Sequence, residues 1–210
     1  MQVCCVTLST QHRFPGNIVA EQHRLRQREV NERLNWGMPS WNGEEFDAFD
    51  TRATVYFVFR ERPGGRVLGA LRLLRTDAPG GYMLLNHFAH MVETEELPRS
   101  ARAAEASRGV VDSDLPFEAR RRVTDLFPLA YVEYGVAAGL DWIYGLATPA
   151  VWTVWTRSGW PVEHLGPLHL LDDGNEAYAG KLPVSAHWLG VIRGNVGVTE
   201  AILDYGAGCS

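Results

Sequence analysis

Segments typical of β-strands alternate with segments typical of α-helices along the whole chain, and this alternation limits the possible folds. The 210 residues contain no internal repeat and no low-complexity linker, so we expect one domain over residues 1–210. We predict strands at residues 3–8, 54–60, 66–74, 103–111, 142–147, 162–168 and 178–184. We predict helices at residues 17–33, 83–92, 114–140, 149–158 and 185–205, and a long loop at 35–49. Helices on both faces of mixed strands predict an α/β fold, a three-layer α/β/α sandwich with a mixed central sheet.

Charge and hydropathy exclude several classes of partner. The net charge is −5, and Lys181 is the only lysine, which argues against general nucleic-acid binding. No run of eighteen apolar residues exists, so we expect no membrane span. The N-terminal residues lack a basic segment followed by a long apolar run, so we expect no secretory signal. We expect Cys4, Cys5 and Cys209 to be reduced and buried in a cytoplasmic protein.

Charged and aromatic residues at spaced positions indicate a binding pocket. Two aspartates stand three residues apart among aromatics in the segment Glu45-Phe46-Asp47-Ala48-Phe49-Asp50. Other charged or aromatic residues that could converge with them are Arg26, Trp36, Arg72, Glu105 and Arg108. Carboxylates would hold a cation, arginines would hold an anion, and Trp36 could stack on a base or face a sulfonium. Such a pocket suits a zwitterion that carries an ammonium, a carboxylate and an adenine.

Each of these features also has a structural explanation. An arginine on a strand that faces an acid is often a structural ion pair, and a single tryptophan is often a core or lid residue. The pattern therefore becomes specific only when several motifs occur in order.

Several spaced motifs resemble the LuxI-type N-acyl-homoserine lactone synthases, the autoinducer synthase family. The first is Arg26 followed by Arg33-Leu34-Asn35-Trp36 and by Glu45 to Asp50. The others are Arg72, the segment Glu105-Ala106-Ser107-Arg108, and Arg157-Ser158-Gly159-Trp160. The resemblance covers roughly residues 24–160, about two-thirds of the chain.

The resemblance implies an acyltransferase with an N-acetyltransferase-like fold. It would join an acyl group from acyl carrier protein or CoA to S-adenosylmethionine, close the lactone ring and release methylthioadenosine. S-adenosylmethionine would be a co-substrate, and we expect no other cofactor. The catalytic residues implied are Glu105, Arg108 and Arg72. The residues implied to bind S-adenosylmethionine are Arg26, Val30, Trp36, Asp47, Asp50, Arg72, Phe88 and Ser107.

The chain departs from the family pattern at Val30, where members usually carry phenylalanine. That aromatic side chain is thought to help wall the S-adenosylmethionine site. The substitution therefore changes the expected packing of the wall, while the charge pattern is retained.

The resemblance also places an acyl pocket on the predicted strand 142–147 and the helix after it. Its residues are Gly145, Leu146, Val151, Trp152 and Trp155. Family members that make 3-oxo products often carry threonine at the position of Gly145. Glycine cannot bond a 3-oxo group, so we expect a donor unsubstituted at its third carbon. The two tryptophans could contact an aryl acyl group, or they could be ordinary core residues.

The run Arg120-Arg121-Arg122 is the densest basic segment in the chain. It could dock an acidic acyl carrier protein, or it could be a solvated helix face. We expect the protein to be a monomer.

Two other functions are compatible with parts of the pattern. An ordinary N-acetyltransferase usually needs a glycine-rich turn for the CoA pyrophosphate, whereas residues 109–116 carry one glycine with Asp112 and Asp114. A non-catalytic protein that senses a zwitterionic metabolite would keep the charged pocket but need no acyl pocket. His87 and His90 lack a third ligand, so we expect no metal site.

Overall fold

A computed structural model describes residues 1–206, and Cys209 lies outside this range. The chain forms two compact units. The first contains Met1–Arg72, Arg108–Thr124 and residues 202–206, and the second contains Leu73–Ser107 and Asp125–Ala201.

The described residues contain strands and helices in alternation, as the sequence predicts. The strands are β1 (Gln2–Val6), β2 (Ser40–Trp41), β3 (Glu44–Glu45), β4 (Val55–Arg60), β5 (Val67–Arg75), β6 (Ala103–Val111), β7 (Trp142–Ala147), β8 (Glu163–His164), β9 (His169–Leu170), β10 (Glu176–Pro183) and β11 (Leu203–Asp204). The α-helices are α1 (Ile18–Arg26), α2 (Met83–His87), α3 (Phe117–Asp125), α4 (Phe127–Ala138), α5 (Pro149–Arg157) and α6 (Ala186–Val196). A π-helix (Gln27–Arg33) continues α1, and two 3₁₀ helices cover Gln11–Arg13 and Ala89–Met91.

The first unit has a mixed sheet. Strand β1 runs antiparallel to β4, with Val3 opposite Phe59, and parallel to β11, with Val3 opposite Leu203. The side chain of Asn17 caps α1 by accepting a hydrogen bond from the amide of Ala20 at 3.4 Å, as its sequence position predicts. The core of this unit includes Cys4, Val6, Ile18, Leu25, Val30, Tyr56 and Val58.

Cys4 and Cys5 are free thiols buried in β1, as expected. Burial raises the pKa of each thiol to about 12. Both side chains therefore act as small apolar residues at neutral pH.

The predicted loop over residues 35–49 contains a short β-hairpin, so the prediction is wrong at that point. Strands β2 and β3 pair antiparallel, with Ser40 opposite Glu45. Asn42 and Gly43 connect them with φ angles of 52° and 76°. Positive φ at both central residues is the type I′ turn that Asn-Gly favours, so the dipeptide was the missed signal.

The second unit also has a mixed sheet. Strand β6 runs parallel to β7, and Glu105 pairs with Tyr144. Strand β7 runs antiparallel to β10, and Tyr144 pairs with Lys181. Strand β10 pairs in turn with β8, where Lys181 stands opposite Glu163. Four ionisable side chains therefore form a row across four strands.

Most predicted elements are confirmed, and strands β6 and β7 have the predicted bounds. The helix predicted over residues 114–140 is divided into α3 and α4, and Pro128 lies in the first turn of α4. The predicted strand at 162–168 is replaced by the short strands β8 and β9. The prediction of a mainly helical segment over 185–205 is wrong at its end, because α6 stops at Gly197, with φ 69°, and β11 follows.

The predicted fold class is confirmed, since mixed sheets and helices make this an α/β protein. Every helix within residues 1–206 is too short or too polar to cross a membrane.

Candidate active site

Arg26, in the last turn of α1, is fully buried at 0% exposure. Its Nη1 and Nη2 donate to the two carboxylate oxygens of Asp50, each at 2.8 Å. Its Nε donates to the Glu45 carboxylate in β3. A buried guanidinium is tolerated only with such charged acceptors, because an unpaired charge loses its hydration without compensation.

Arg72 on β5 holds the same acidic loop from a second side. Its Nη1 and Nη2 donate to the two oxygens of Asp47 at 2.6 and 3.1 Å, and Nη1 also lies 3.2 Å from Asp50. The Asp47 amide donates to Asp50 at 2.9 Å, which closes the turn between the two aspartates. Arg72 also lies over the ring of Phe49, 5.8 Å from its centroid.

Arg108 completes this arrangement from β6. Its Nη2 donates to Asp47 at 2.7 Å and its Nε donates to Glu45 at 3.2 Å. Its φ of 52° lies in the left-handed region that arginine rarely adopts. Such backbone conformations cost free energy and concentrate at functional sites.

These side chains form one neutral charge network, which consists of Arg26, Glu45, Asp47, Asp50, Arg72 and Arg108. Three guanidinium groups balance three carboxylates. Burial opposes ionisation of Asp47 and Asp50, but the hydrogen bonds and charges of Arg72 and Arg26 outweigh it and lower the pKa of each aspartate. Burial and the neighbouring Arg72 lower the pKa of Arg108.

Access to the network is uneven. The side chains of Arg26, Arg72 and Glu45 are 0–1% exposed, that of Asp50 is 5% exposed, and those of Arg108 and Asp47 are 6% and 10% exposed. The inner pair is therefore mainly structural. A ligand would meet the network at Asp47 and Arg108.

Three members of this region were missed in the sequence. Glu45 bridges Arg26 and Arg108, the Tyr56 hydroxyl donates to Asp50 at 2.9 Å, and His23 Nδ1 donates to the carbonyl oxygen of Glu45 at 2.7 Å. Glu45 and Asp47 are two residues apart, so an extended segment would place both on one side. That spacing was the available signal for Glu45.

The two apolar residues expected in the S-adenosylmethionine wall have different surroundings. Val30 lies in the π-helix, is 1% exposed and packs in the core of the first unit. Trp36 is 41% exposed, so it is not a core residue and its ring is accessible for stacking. The roles of both residues in binding remain predictions.

Glu105 lies in the second unit, near the start of β6, and is 0% exposed. Its two carboxylate oxygens accept hydrogen bonds from the amides of Met83 and Leu84, at 2.9 and 2.7 Å. These bonds fix the carboxylate against the start of α2.

Phe88 and Ser107, also expected near S-adenosylmethionine, belong to the second unit. Phe88 ends α2, and Ser107 precedes Arg108 in β6; both are half-buried.

Three of the residues expected to line the acyl pocket, Gly145, Trp152 and Trp155, lie in or beside a buried aromatic cluster in the second unit. Gly145 stands opposite Gly180 in β7 and β10. A Cβ at Gly145 would lie 3.7 Å from the indole of Trp152, and one at Gly180 would lie 3.0 Å from it. The indole therefore fills the space above the two glycines. Trp152 and Trp155 are 1% and 6% exposed with ring centroids 4.9 Å apart, as core residues would be.

The remaining predicted acyl-pocket residues are less buried. Leu146 is half-buried in β7, and Val151 is exposed on α5 at 41%. Their contact with an acyl group remains a prediction.

The basic run lies on α3, as predicted. Arg121 and Arg122 are exposed and Arg120 is half-buried. Phe117, in the first turn of the same helix, is 66% exposed. This surface combines positive charge with an accessible aromatic ring.

Within residues 1–206, no three His, Cys, Asp or Glu side chains are grouped so that they could hold a metal ion. In the charge network, each of the carboxylates Glu45, Asp47 and Asp50 is paired with at least one arginine.

The fold first identifies the class, since the chain superposes on acyl-homoserine lactone synthases. The CoA-dependent synthase BjaI, solved with MTA, matches with a TM-score of 0.85 at 22% identity, over 97% of this chain and 92% of that chain. TofI, solved with an inhibitor and MTA, matches with a TM-score of 0.75 at 27% identity, over 96% and 100%.

The sequence comparison then gives the family. Autoinducer synthase is the family that matches residues 11–189. An acyl-homoserine-lactone synthase of Rhizobium radiobacter is 31% identical over 179 residues, 82% of each chain, and one of Agrobacterium fabrum is 30% identical over 191 residues, 87% of this chain and 86% of that protein. The chain belongs to the autoinducer synthase family, and it is an acyltransferase that forms N-acyl-homoserine lactones. An ordinary N-acetyltransferase and a non-catalytic sensor are not supported by these matches.

The charge network predicts acid sensitivity that depends on Asp50. Because the folded-state pKa of Asp50 is lowered, its ionised form stabilises the fold above the unfolded pKa of about 4, and this contribution is lost as the pH falls below that value. Asp50→Asn leaves excess buried positive charge, so we expect it to lose about 3–5 kcal/mol at pH 7. Its unfolding free energy should depend less on pH between 5 and 3 than that of the wild type.

Urea unfolding at a series of pH values measures both effects. Asp173→Asn, in an exposed turn, is the matched control and should keep the wild-type profile. Equal acid dependence in Asp50→Asn and the wild type would contradict the role assigned to Asp50.

Proposed function

We propose that the 210 residues act as one synthase domain that uses S-adenosylmethionine and an acyl thioester and releases methylthioadenosine. Two observations support a single working domain. Strands β5 and β6 each contain residues of both units, and the family match runs through both of them. BjaI has been solved with MTA and with SAM and isopentyl-CoA, which are reactants and products of the proposed types.

The residue assignment is supported by the neutral charge network, in which Asp47 is the most exposed carboxylate and Arg108 the most exposed guanidinium. We assign Asp47 to the ammonium of S-adenosylmethionine and Arg108 to its carboxylate, since one anionic and one cationic side chain match the two charges of a zwitterion. Arg26, Asp50 and Arg72 position these two groups. Trp36 supplies an accessible ring for the adenine or the sulfonium, and Phe88, Ser107 and Val30 complete the binding residues.

Glu105 is the general base of the first reaction. The amine of S-adenosylmethionine must be neutral to attack, so Glu105 accepts its proton, directly or through a water molecule. The nitrogen then bonds to the thioester carbonyl carbon, and the tetrahedral oxyanion collapses as the carbon–sulfur bond breaks. The thiolate leaves and is protonated. Preorganised backbone amides of β6, with Arg108 and Arg72 as cations, would stabilise the oxyanion.

The second reaction needs no base. The methionine carboxylate attacks its own γ-carbon, the bond from that carbon to the sulfonium breaks, and methylthioadenosine leaves as a neutral thioether. The main requirement is a folded conformer that brings the carboxylate to the γ-carbon. Contacts that hold the ammonium and the carboxylate at fixed positions restrict the chain to that conformer.

The donor is either an acyl carrier protein or CoA. Two acids follow β6, Asp112 and Asp114, and both would repel the pyrophosphate of CoA if they were exposed. Asp112, however, is fully buried and accepts a hydrogen bond from Arg66 at 2.8 Å. Only Asp114, whose side chain is 77% exposed, carries accessible negative charge there. This segment therefore argues against CoA less strongly than its sequence suggested.

We also propose that the enzyme works as a monomer in the cytoplasm. Its buried reduced thiols, Cys4 and Cys5, suit a reducing compartment.

The role of Glu105 is tested by Glu105→Gln. We expect kcat/KM to fall on the order of a hundredfold or more, because an amide cannot accept the amine proton. Methylthioadenosine release measures the rate, and thermal unfolding checks the fold. Glu105→Asp, which keeps a carboxylate, should retain more activity than Glu105→Gln.

Glu133→Gln is the control, since Glu133 is a buried glutamate of α4 that pairs with Arg193 instead. It should keep wild-type turnover. A folded Glu105→Gln enzyme with near-normal turnover would remove Glu105 from this role.

Carrier docking on α3 is tested by reversing two exposed charges, Arg121→Glu with Arg122→Glu. If acyl carrier protein docks there, KM for this substrate should rise and its salt dependence should weaken, with kcat little changed. The charge-matched control reverses Arg13 and Arg62, which are exposed elsewhere in the first unit. An unchanged KM for acyl carrier protein would indicate a solvated helix face or a CoA donor.

Acyl selectivity is tested by competition between straight-chain, 3-oxo and aryl thioesters of matched length. We expect the straight-chain donor to be preferred over the 3-oxo donor, because Gly145 provides no hydroxyl and an unpaired buried carbonyl costs about 1–3 kcal/mol. A clear wild-type preference for the 3-oxo donor would contradict this assignment, and preference for the aryl donor would assign specificity to Trp152 and Trp155.

A further inference from the structure

A row of ionisable side chains crosses the sheet of the second unit beside Glu105. Glu105 pairs with Tyr144, Tyr144 pairs with Lys181, and Lys181 pairs with Glu163. Directly paired residues on neighbouring strands project to the same face of a sheet. Glu105 and Lys181 are therefore two strands apart on one face, on the order of 10 Å from each other.

Glu95, in the segment before β6, joins the middle of this row. The Tyr144 hydroxyl donates to one carboxylate oxygen of Glu95 at 2.7 Å, and the Lys181 ammonium donates to the other. Lys181 also lies 3.2 Å from Glu163 and 4.6 Å from the ring centroid of Trp142. The only lysine of the chain is thus 8% exposed and committed to this cluster.

The electrostatics of the cluster extend to Glu105. Burial, followed by the charges of Glu105 and Glu95, raises the pKa of Tyr82, so this phenol lies in the field of both carboxylates. Burial and the hydrogen bond to Glu95 raise the pKa of Tyr144. Burial disfavours the charge on Lys181, but its bonds to the two glutamates outweigh this effect and raise its pKa, so the ammonium stays charged.

The polar groups around Glu105 within the second unit come from several elements. They are the amides of Met83 and Leu84 at the start of α2, Tyr82 before them, Tyr144 on β7, Lys181 on β10, Glu163 on β8, and Glu95 and Arg99 in the segment before β6.

We propose that Lys181 and Glu95 are positioning residues for Glu105 and act as a compensating pair. Glu95 anchors Tyr144 beside Glu105, and Lys181 cancels the negative charge of Glu95. This inference rests on the proposed role of Glu105 as the base. Glu95 is needed to fix Tyr144, but an unpaired Glu95 carboxylate would favour protonation of Glu105 and so remove the base. Lys181 prevents that loss.

The pair makes a signed prediction for the pH dependence of kcat/KM. Lys181→Met leaves the Glu95 charge uncompensated. The acidic limb of the kcat/KM profile, where protonation of Glu105 removes the base, should therefore move to higher pH. Glu95→Gln leaves the Lys181 charge uncompensated, so that limb should move to lower pH. At this separation each shift should be roughly 0.5–1 pH unit. Titration of the free substrate amine is common to all variants, so it does not affect the comparison.

Three further variants make the test specific. Lys181→Met combined with Glu95→Gln should return the limb to within about 0.3 unit of wild type, because both charges are removed. Lys181→Arg keeps the charge and should keep the profile. Glu163→Gln changes the more exposed partner of Lys181, whose side chain is 58% exposed, and should shift the limb least.

Methylthioadenosine release over a pH series measures these shifts, and thermal unfolding checks each variant. If Lys181→Met does not fold, the downward shift in Glu95→Gln still decides the matter. The compensating pair would be overturned if Lys181→Met and Glu95→Gln shifted the acidic limb in the same direction. It would also be overturned if neither variant shifted the limb while Glu105→Gln was inactive. An active Glu105→Gln enzyme would instead overturn the role of Glu105 itself, so the two failures are distinguishable.

Discussion

The buried guanidinium of Arg26 is the constraint on which the rest of the first unit depends. A charge at 0% exposure requires charged acceptors at short distance, and Glu45 and Asp50 provide them. Both acceptors lie on the segment that contains the β2–β3 hairpin, so their pairing with Arg26 fixes that segment against α1. Asp47 is placed by the same turn and then pairs with Arg72 and Arg108.

The balance of charge in this network connects stability with function. The inner pair, Arg26 and Glu45, carries opposite charges and is closed to solvent. It therefore stabilises the fold of this segment without adding net charge. Asp47 and Arg108 retain slight exposure and opposite charge, which suits a ligand that carries both an ammonium and a carboxylate. The left-handed φ of Arg108 places backbone strain at the most exposed guanidinium of the network.

The spacing of residues predicted much of this site but not all of it. Arg26, Asp47, Asp50, Arg72 and Arg108 were expected together, and the structure joins all five in one network. Glu45 was not predicted, although its two-residue spacing from Asp47 would place both side chains on one side of an extended segment. That inference requires residues 44–45 to be a strand, whereas the sequence predicts a loop there. The choice between Glu44 and Glu45 depends on the register of the Asn42–Gly43 hairpin, which turns Glu45 into the interior and leaves Glu44 to pair with the exposed Arg24.

Other features could not be predicted because they depend on contacts between residues that are far apart in the sequence. Strand β11 has two residues and is defined only by its pairing with β1, some 200 residues away, so local periodicity carries no signal for it. Trp152 fills the space beside Gly145, because Gly180 lies opposite and neither glycine has a side chain to exclude the indole. Lys181 and Glu95 likewise meet only through the pairing of β7 with β10 and the loop before β6.

The most direct measurement is the product balance of the purified chain incubated with S-adenosylmethionine and an acyl thioester. Liquid chromatography with mass spectrometry quantifies the N-acyl-homoserine lactone, the free thiol and methylthioadenosine over time. Coupled acylation and ring closure predict that all three appear in equal amounts and that none appears when either substrate is omitted. Thiol release with S-adenosylmethionine left intact, or methylthioadenosine formed without lactone, would contradict the proposed two-step reaction.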